Sequence, residues 1–426
     1  MKNFKDSGIE WLGEIPKHWE IKPLKAVFNQ RNEQNTNLKL HTILSLIKDI
    51  GVVPYEEKGN IGNKSKEDLQ SYKIARINDL VLNKMNAVIG SLGVSAYNGL
   101  VSPIYLVFYI NSPKYLMSYY SYLFQIKNVQ KFLKIYAYGI MEIRESIDYL
   151  DFKKMSLPVP PLKEQDQIAN FLDEKCEKIQ NYIDKKQKLI TLLQEKKQAL
   201  INEVVTKGLN PNIEFKNSDI EYLGLIPQHW EVKKLKYVGK VVLGKMLCNE
   251  HQKGYSHCYY LKSKNLQWLN VEVSQIEKMW FSEYEKSLYR IKKDDLLVSE
   301  GGEVGKTCIW NNELAECYIQ NSVHKITLNK FNNAKFFLYL FFTYGKLGVF
   351  DSVVSRVSIA HLVLEKLVNV DMVVPPLQEQ KEIANLLDEK CKKIDLLIEK
   401  TEKQIKLIKE YKTTLINQAV CGRISL

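Results

Sequence analysis

The chain repeats itself, and this repetition limits its possible folds more than any other feature of the sequence. Residues 9–25 read IEWLGEIPKHWEIKPLK and residues 220–236 read IEYLGLIPQHWEVKKLK, with twelve of seventeen positions identical. Residues 160–179 and 375–394 agree at fifteen of twenty positions. The two offsets are 211 and 215 residues, whereas the segments between the matching blocks have little in common. The sequence therefore predicts one architecture built twice, with two different middles.

Each copy ends in a long segment without glycine or proline. Residues 162–207 follow a proline pair and stop at Gly208, and residues 377–421 follow a second proline pair and stop at Gly422. Proline before a segment and glycine after it are helix start and stop signals. A helix of 46 residues is about 69 Å long, far beyond a normal globular helix.

The apolar residues of both segments follow one line, in alternating steps of four and three. In the first segment the line runs through Leu172, Cys176, Ile179, Ile183, Lys186, Ile190, Leu193, Lys197, Leu200 and Val204. In the second it runs through Leu387, Cys391, Ile394, Ile398, Thr401, Ile405, Ile408, Lys412, Leu415 and Ala419. A sustained 3.5-residue period is typical of a coiled-coil seam. Core helices inside each half are the alternative, but they would need neither this length nor this regularity.

The expected fold class is mixed α/β: two globular domains joined by two long antiparallel coiled-coil helices, with a pseudo-twofold internal repeat. The expected boundaries are 1–157 for the first globular domain, 158–208 for the first helix, 209–371 for the second domain and 372–426 for the second helix. In the middles, strands are predicted at 79–83, 100–110, 295–299 and 323–328, and helices at 115–136 and 334–344.

The chain is basic, and the imbalance comes mostly from lysine. The net charge is +12, and only six of 61 basic residues are arginine. This charge favours a polyanionic partner.

The polar start MKNFKDSGIE is unlike a signal peptide, and no run of eighteen apolar residues occurs, so a soluble cytoplasmic protein is expected. The seven cysteines form no CxxC pair, and the spacing of Cys248, His251, His257 and Cys258 matches no usual zinc site, so no metal is expected.

The repeated motifs resemble those of type I restriction–modification specificity subunits. The resemblance rests on KDSGIEWLGEIPKHW, on the PPLxEQxxIAxxLDEK entry to each long segment and on the central KGLNP. It covers nearly the whole chain. The second middle adds DLLVSEGGEVGKTCIW and YIQNSVHKI, and the first middle matches less closely with DLVLNKMNAVIGSLGVSAYNGLVSPIYLVF.

This resemblance implies a DNA-reading role. Each globular domain would be a target-recognition domain that reads one half of a bipartite target in double-stranded DNA. The long helices would set the gap between the halves and dock two methyltransferase (M) subunits, which methylate adenine with S-adenosylmethionine. With two ATP-driven restriction/translocase (R) subunits added, the complex would cut DNA that lacks the methyl mark.

Eight residues of the two middles are predicted to contact DNA. They are Lys84, Asn86, Arg144, Lys306, Gln320, Asn321, Arg356 and His361. Arginine reads guanine and clamps phosphate, and amide side chains read adenine edges. Arg144 and Arg356 fit either this role or pairing with a carboxylate, and the sequence leaves both open. Lys306 lies in a glycine-rich turn that either presents it to DNA or is purely structural.

The recurring His-Trp pairs are predicted to have a structural role and not to contact DNA. His18-Trp19 and His229-Trp230 belong to the shared frame rather than to the divergent middles. We therefore predict that each Trp packs at the base of its domain with the His hydrogen-bonded nearby, rather than contacting DNA bases.

The chain is predicted to have no catalytic residue and no cofactor of its own. GEVGKT at residues 302–307 lacks the first glycine of a Walker A motif, which falls on Glu300. The proline pairs lack the acidic or amide residue that holds the amino group in adenine methyltransferases. One alternative is a stand-alone DNA methyltransferase or nuclease with unfamiliar motifs, which would show activity in the purified chain. Another is a coiled-coil scaffold that binds no DNA, which a gel shift would reveal.

Overall fold

The computed structural model describes residues 3–48, 50–59, 68–138, 146–251, 253–353, 361–424 and 426. The chain separates into two compact units. Unit 1 comprises Met1–Lys186 together with Lys403–Leu426, and unit 2 comprises Gln187–Glu402. Each unit therefore contains one of the divergent middles and a part of both long helical segments.

Unit 1 is a mixture of short strands and short helices. Its strands are β1 (Phe4–Asp6), β2 (Glu14–Pro16), β3 (Glu20–Pro23), β4 (Asn29–Gln30), β5 (Leu44–Ile47), β6 (Gly51–Pro54), β7 (Lys73–Ala75), β8 (Leu80–Asn83), β9 (Leu92–Val94), β10 (Gly99–Val101), β11 (Tyr105–Tyr109), β12 (Ala137–Tyr138), β13 (Ser146–Ile147) and β14 (Ser156–Val159). Its helices are α1 (Leu24–Val27), α2 (Met117–Gln125), α3 (Lys127–Phe132), α4 (Tyr149–Phe152) and the first part of α5 (Leu162–Lys207).

Four strands form the central sheet of unit 1, in the order β4-β11-β8-β9, all antiparallel. All four residues of β8 are buried, which fits a strand covered on both faces. An aromatic cluster packs beside the sheet, with the Phe28 ring 5.3 Å from that of Tyr120 and 6.3 Å from that of Phe108. A separate pair, β3 with β14, joins the two ends of the first middle.

Unit 2 has the same general composition. Its strands are β15 (Phe215–Asn217), β16 (Leu225–Pro227), β17 (Glu231–Lys234), β18 (Gly239–Leu243), β19 (Ser256–Leu261), β20 (Leu266–Gln267), β21 (Asn270–Val271), β22 (Glu277–Phe281), β23 (Leu296–Ser299), β24 (Thr307–Ile309), β25 (Tyr318–Ile319), β26 (Val323–Leu328) and β27 (Asp371–Val374). Its helices are α6 (Leu235–Val238), α7 (Glu283–Tyr289), α8 (Ala334–Lys346), α9 (Val349–Val353), α10 (Leu364–Leu367) and the larger part of α11 (Leu377–Val420).

The central sheet of unit 2 repeats that of unit 1. Its order is β18-β26-β23-β24, again antiparallel, and β17 pairs with β27 as β3 pairs with β14. Outside this common frame the units differ, because unit 2 carries a three-stranded sheet in the order β22-β19-β25 where unit 1 has the β5-β6 and β7-β10 pairs. The internal repeat and the mixed α/β class are therefore confirmed.

The two long helices begin and end where the proline pairs and glycines of the sequence predict. Helix α5 covers the predicted 46 residues, and α11 ends one residue before the predicted limit. Every position of the predicted seam is buried or partly buried, including Lys186, Thr401 and Lys197. In unit 2 the Lys197 Nζ lies 2.7 Å from the Asp395 Oδ1, so α5 contacts α11 there. Continuous coiled-coil packing along both helices stays a prediction.

Candidate nucleic-acid interface

The recurring motifs of unit 1 form a buried hydrogen-bonded base. The Trp19 side chain is 1% exposed, and its Nε1 donates a hydrogen bond of 2.9 Å to the Glu164 carboxylate. The His18 Nε2 lies 2.6 Å from the other oxygen of the same carboxylate. The next residue, Gln165, is also buried; its amide accepts from the Leu116 N and donates to the carbonyls of Lys114 and Pro160.

Unit 2 repeats this arrangement. Trp230 Nε1 donates a 3.1 Å hydrogen bond to Glu379, and His229 Nε2 lies 2.8 Å from the same carboxylate oxygen. The amide of Gln380 accepts from the Asn333 N and donates to the Pro375 carbonyl. The predicted packing of each Trp at the base of its domain, with the His hydrogen-bonded nearby, is thereby confirmed. The shared motifs therefore form the frame of each unit.

The glycines after the long helices close each base. Gly208 has φ +76° and packs against Trp230, and Gly422 has φ +70° and packs against Pro16 and Trp19. A Cβ on Gly422 would lie 2.7 Å from Pro16, so only glycine combines the left-handed backbone with this close approach. The Arg423 Nη2 then donates a 2.8 Å hydrogen bond to the Leu12 carbonyl, which joins the two chain segments of unit 1 just beyond α11.

Three predicted contact residues of unit 2 meet at one end of its central sheet. The Glu300 N donates to the Ser322 carbonyl at 2.9 Å, and the Leu362 N donates to the Glu300 carbonyl at 2.8 Å. These backbone hydrogen bonds bring the Gln320–Ser322 turn, the end of β23 and His361 together. We call this group, Glu300, Gln320–Ser322 and His361, the polar sheet end.

The side chains of the polar sheet end are arranged for hydrogen bonding. Gln320 and Asn321 are partly buried, and their amides bond to each other. His361 is exposed beside Glu300. Burial raises the pKa of the Glu300 carboxyl, and the neighbouring His361 acts in the opposite direction. The site can therefore offer amide and imidazole groups to base edges, together with a partly desolvated carboxyl group.

Lys306 lies in the glycine-rich turn between β23 and β24, and its charge is already paired. Its Nζ is 3.2 Å from Glu303 Oε2, and its side chain is only 15% exposed. The turn is also tightly packed, because a Cβ on Gly305 would lie 2.1 Å from the Phe350 ring. A DNA phosphate would have to compete with Glu303 for Lys306.

The corresponding turn of unit 1 contains Lys84 and Asn86. Lys84 is partly buried, and its carbonyl accepts a 3.0 Å hydrogen bond from the Ile147 N, whereas Asn86 is exposed. Lys73 lies nearby, with its Nζ 2.8 Å from the Tyr105 carbonyl. Burial, and then repulsion by Lys84, lower the pKa of Lys73. This end of the first sheet is therefore locally positive.

The remaining predicted contacts, Arg144 and Arg356, lie outside the described residues. The other arginines have partners of their own. Arg31 Nε donates a 2.7 Å hydrogen bond to Asp79, Arg76 pairs with Glu33 at 2.8 Å, and Arg290 donates to the Ala315 carbonyl at 3.5 Å.

The histidines considered for zinc have other contacts. The rings of His251 and His257 lie 4.6 Å and 4.7 Å from the Trp280 ring. Among the described residues, no group of three or more His, Cys, Asp and Glu side chains is placed to hold a metal ion. Within the same part of the chain, no helix has the length and apolar character needed to cross a membrane.

A buried histidine supports the polar sheet end. His324 is fully buried, and its Nε2 lies 2.6 Å from the Leu362 carbonyl, so Nε2 carries the proton and donates. Its Nδ1 is buried without a hydrogen-bond partner among the described residues. Burial lowers the pKa of His324, and the bond to Leu362 raises it only in part.

This histidine is expected to make the stability of unit 2 depend on pH. The unfolded chain binds a proton at about pH 6.5, whereas the folded chain resists it, so the free energy of unfolding should decrease as pH falls below about 6.5. We expect His324→Gln, which keeps a donor but cannot titrate, to lose less stability than the wild type between pH 7.5 and 5.5 in urea unfolding. His41→Gln, at an exposed position in unit 1, is the control and should behave as the wild type. Identical pH dependence in wild type and His324→Gln would contradict the assignment.

Comparison with known proteins identifies the family. The family described as type I restriction modification DNA specificity domain matches residues 16–194 and 227–407. A Methanocaldococcus jannaschii protein described as a type I restriction enzyme MjaX specificity subunit is 27% identical, and the alignment covers 99% of this chain and 97% of that protein.

Two solved structures share the fold. One, from work on complex assembly and conformational transition of the type I R-M system, has a TM-score of 0.73 at 15% identity and covers 96% of this chain and 99% of its own. The HsdS subunit from Thermoanaerobacter tengcongensis has a TM-score of 0.56 at 14% identity, covering 98% and 100%. The resemblance that the motifs indicated is confirmed. With one match in each of its halves, the chain belongs to the type I restriction–modification specificity subunit family.

Proposed function

We propose that this chain reads a bipartite target in double-stranded DNA, one half with the sheet end of each unit, and performs no catalysis itself. The observation that carries this proposal is the same four-stranded sheet occurring twice with chemically different ends. A shared frame with different side chains at its ends suits two reading heads that recognise different sequences. A scaffold without DNA binding would have no need for two different ends.

The proposed reading residues divide between the units. Unit 1 would use Lys84 and Asn86, together with Arg144. Unit 2 would use Gln320, Asn321 and His361 for base edges, with Arg356 and Lys306 at bases or phosphates. Phosphate contacts would set position and base contacts would set sequence preference.

The long helices are proposed to hold the partners. Two methyltransferase subunits would dock on them, and two restriction/translocase subunits would complete the complex. Exposed apolar side chains away from the seam support a docking role: Leu192 and Leu397 are each 51% exposed, and Leu189 and Leu396 are 39% and 46% exposed. Isolated helices in water gain nothing from such residues, whereas a partner surface would bury them.

DNA binding is expected to weaken steeply with salt. Lysine–phosphate contacts release counterions, so four such contacts would cost about a hundredfold in affinity between 50 and 200 mM salt. The measurement is fluorescence anisotropy of a labelled target duplex with the full chain and its methyltransferase partner. Lys84→Gln should lower the slope of log affinity against log salt by about one.

Lys178→Gln is the matched control for this experiment. Lys178 is an exposed lysine of α5 in the same unit and pairs with Glu174 at 2.5 Å. The Lys178→Gln variant should leave the slope of log affinity against log salt unchanged. An affinity that stays flat between the two salt concentrations would overturn the proposed function.

A further inference from the structure

The ends of the β8–β11 and β23–β26 strand pairs occupy equivalent positions but differ in chemistry. Asn83 pairs with Tyr105 in unit 1, and Ser299 pairs with Val323 in unit 2. Because both strand pairs are antiparallel, the residues just beyond these pairs correspond to each other. In unit 1 they are Lys84 and Met85 on one strand and Ile104 on the other; in unit 2 they are Glu300 and Gly301 on one strand and Ser322 on the other.

The end of unit 1 exposes large apolar side chains. Met85 is 47% exposed, Ile104 is 48% exposed, and Ile89 in the same turn as Met85 is 54% exposed. We call Met85, Ile89 and Ile104 the apolar sheet end. A group of exposed aliphatic residues on a loop tip is unfavourable in water and is informative when it occurs at a binding surface. The adjacent Lys84 and Lys73 give this end a charge complementary to DNA.

We propose that the apolar sheet end reads thymine, through van der Waals contact with the C5-methyl groups in the half-site bound by unit 1. This inference rests on the proposed function. The thymine methyl is the apolar group that base edges present in the major groove. A cytosine at the same place presents a C5–H in place of the methyl group, so this apolar contact would be lost. In unit 2 the equivalent strand pair ends at the polar groups of Gln320 and Asn321, and the exposed apolar residues Met246 and Leu247 follow β18 instead.

Replacing thymine by uracil tests this directly, because uracil keeps Watson–Crick pairing and lacks only the methyl group. The target is first defined by methylome sequencing, and the half read by unit 1 is assigned by exchanging the first middle. Duplexes with uracil in one half or the other are then titrated with the full chain and its methyltransferase partner. We expect the affinity to fall about fourfold per contacted methyl in the unit 1 half.

Alanine variants test whether the side chains of Met85 and Ile104 cause the loss of affinity for uracil duplexes. Ile104→Ala and Met85→Ala should bind thymine and uracil duplexes with nearly equal affinity, because the side chain that covers the methyl is gone. Ile77→Ala is the control, since Ile77 is 54% exposed and precedes β8, at the opposite end of that strand. It should keep the full thymine preference. All three sites are exposed, so the substitutions should leave folding intact.

Failure of the proposed function and failure of the thymine proposal would give different results in these titrations. If unmodified target duplexes are not bound specifically, the proposed function itself fails. The thymine proposal alone would be overturned by specific binding without a uracil effect in the unit 1 half. A thymine preference in that half that survives both Ile104→Ala and Met85→Ala would overturn it as well.

Discussion

Replacing Tyr237–Lys366 with the matching segment of a related specificity subunit is expected to change one half of the methylated motif and leave the other half intact. The exchanged segment begins within α6 and ends within α10. It therefore removes the polar sheet end and the whole central sheet of unit 2. The base made by Trp230 and Glu379, and the β17–β27 pair, stay in place. Methylome sequencing of cells that carry the chimaera and its methyltransferase partner measures the outcome.

The main physical risk of this exchange is packing, since α8 lies within the segment. Buried residues of α8 such as Phe336 share a core with Val204 of α5 and Leu387 of α11. A donor with similar apolar volume at these positions should preserve this core. The reciprocal exchange of residues 26–151 should alter only the other half-site. Changes in both halves from either single exchange would contradict independent reading heads.

Lengthening both long helices is expected to lengthen the spacer of the target without altering its half-sites. Four residues inserted into each helix, beside the Lys197–Asp395 contact, add about 6 Å. Duplex DNA rises about 3.4 Å per base pair, so the spacer should grow by nearly two base pairs. Four residues turn a helix by about 400°, only roughly 40° beyond a full turn. Two base pairs turn the duplex by about 70°, a difference that modest DNA twisting can absorb.

The seam should tolerate this change, because a four-residue stutter in both helices unwinds the pair locally without exposing it. Methylome sequencing again gives the result as the spacing between the two half-sites. Inserting four residues between Leu209 and Asn210, beyond the end of α5, is the matched control and should leave the spacer unchanged. An active helix variant with an unchanged spacer would show that the helices do not set the distance.

The parts of the fold that could be predicted are those that depend on residues close together in the sequence. Proline pairs, glycine stops and a 3.5-residue period located α5 and α11 almost to the residue, because helix ends and amphipathic faces depend on neighbours in sequence. The middles were less predictable. The strand expected at 100–110 is two strands, β10 and β11, since Pro103 between them lacks the N–H that a ladder requires. The helix expected at 115–136 is interrupted at Ile126, whose backbone is extended.

The candidate site depended on contacts between distant segments. Gln320, Asn321 and His361 were selected by residue type alone, and hydrogen bonds through Glu300 and Ser322 bring them together. No local pattern could show that meeting. Met85 and Ile104 were missed, because an aliphatic residue beside a strand looks like part of the core. Only the strand register shows that both lie just beyond the last residue pair.

The division of the chain has a consequence for synthesis on the ribosome. Unit 2 is continuous in sequence, whereas unit 1 needs residues 403–426 to complete it. Chains fold from the N-terminus as they emerge, yet here the half that is made first is finished last. Until those residues appear, Trp19 lacks the cover of Gly422, and the Tyr119 hydroxyl lacks its 2.9 Å hydrogen bond to the Val420 carbonyl. A premature stop near residue 403 would therefore damage unit 1, most of which is encoded at the opposite end of the gene.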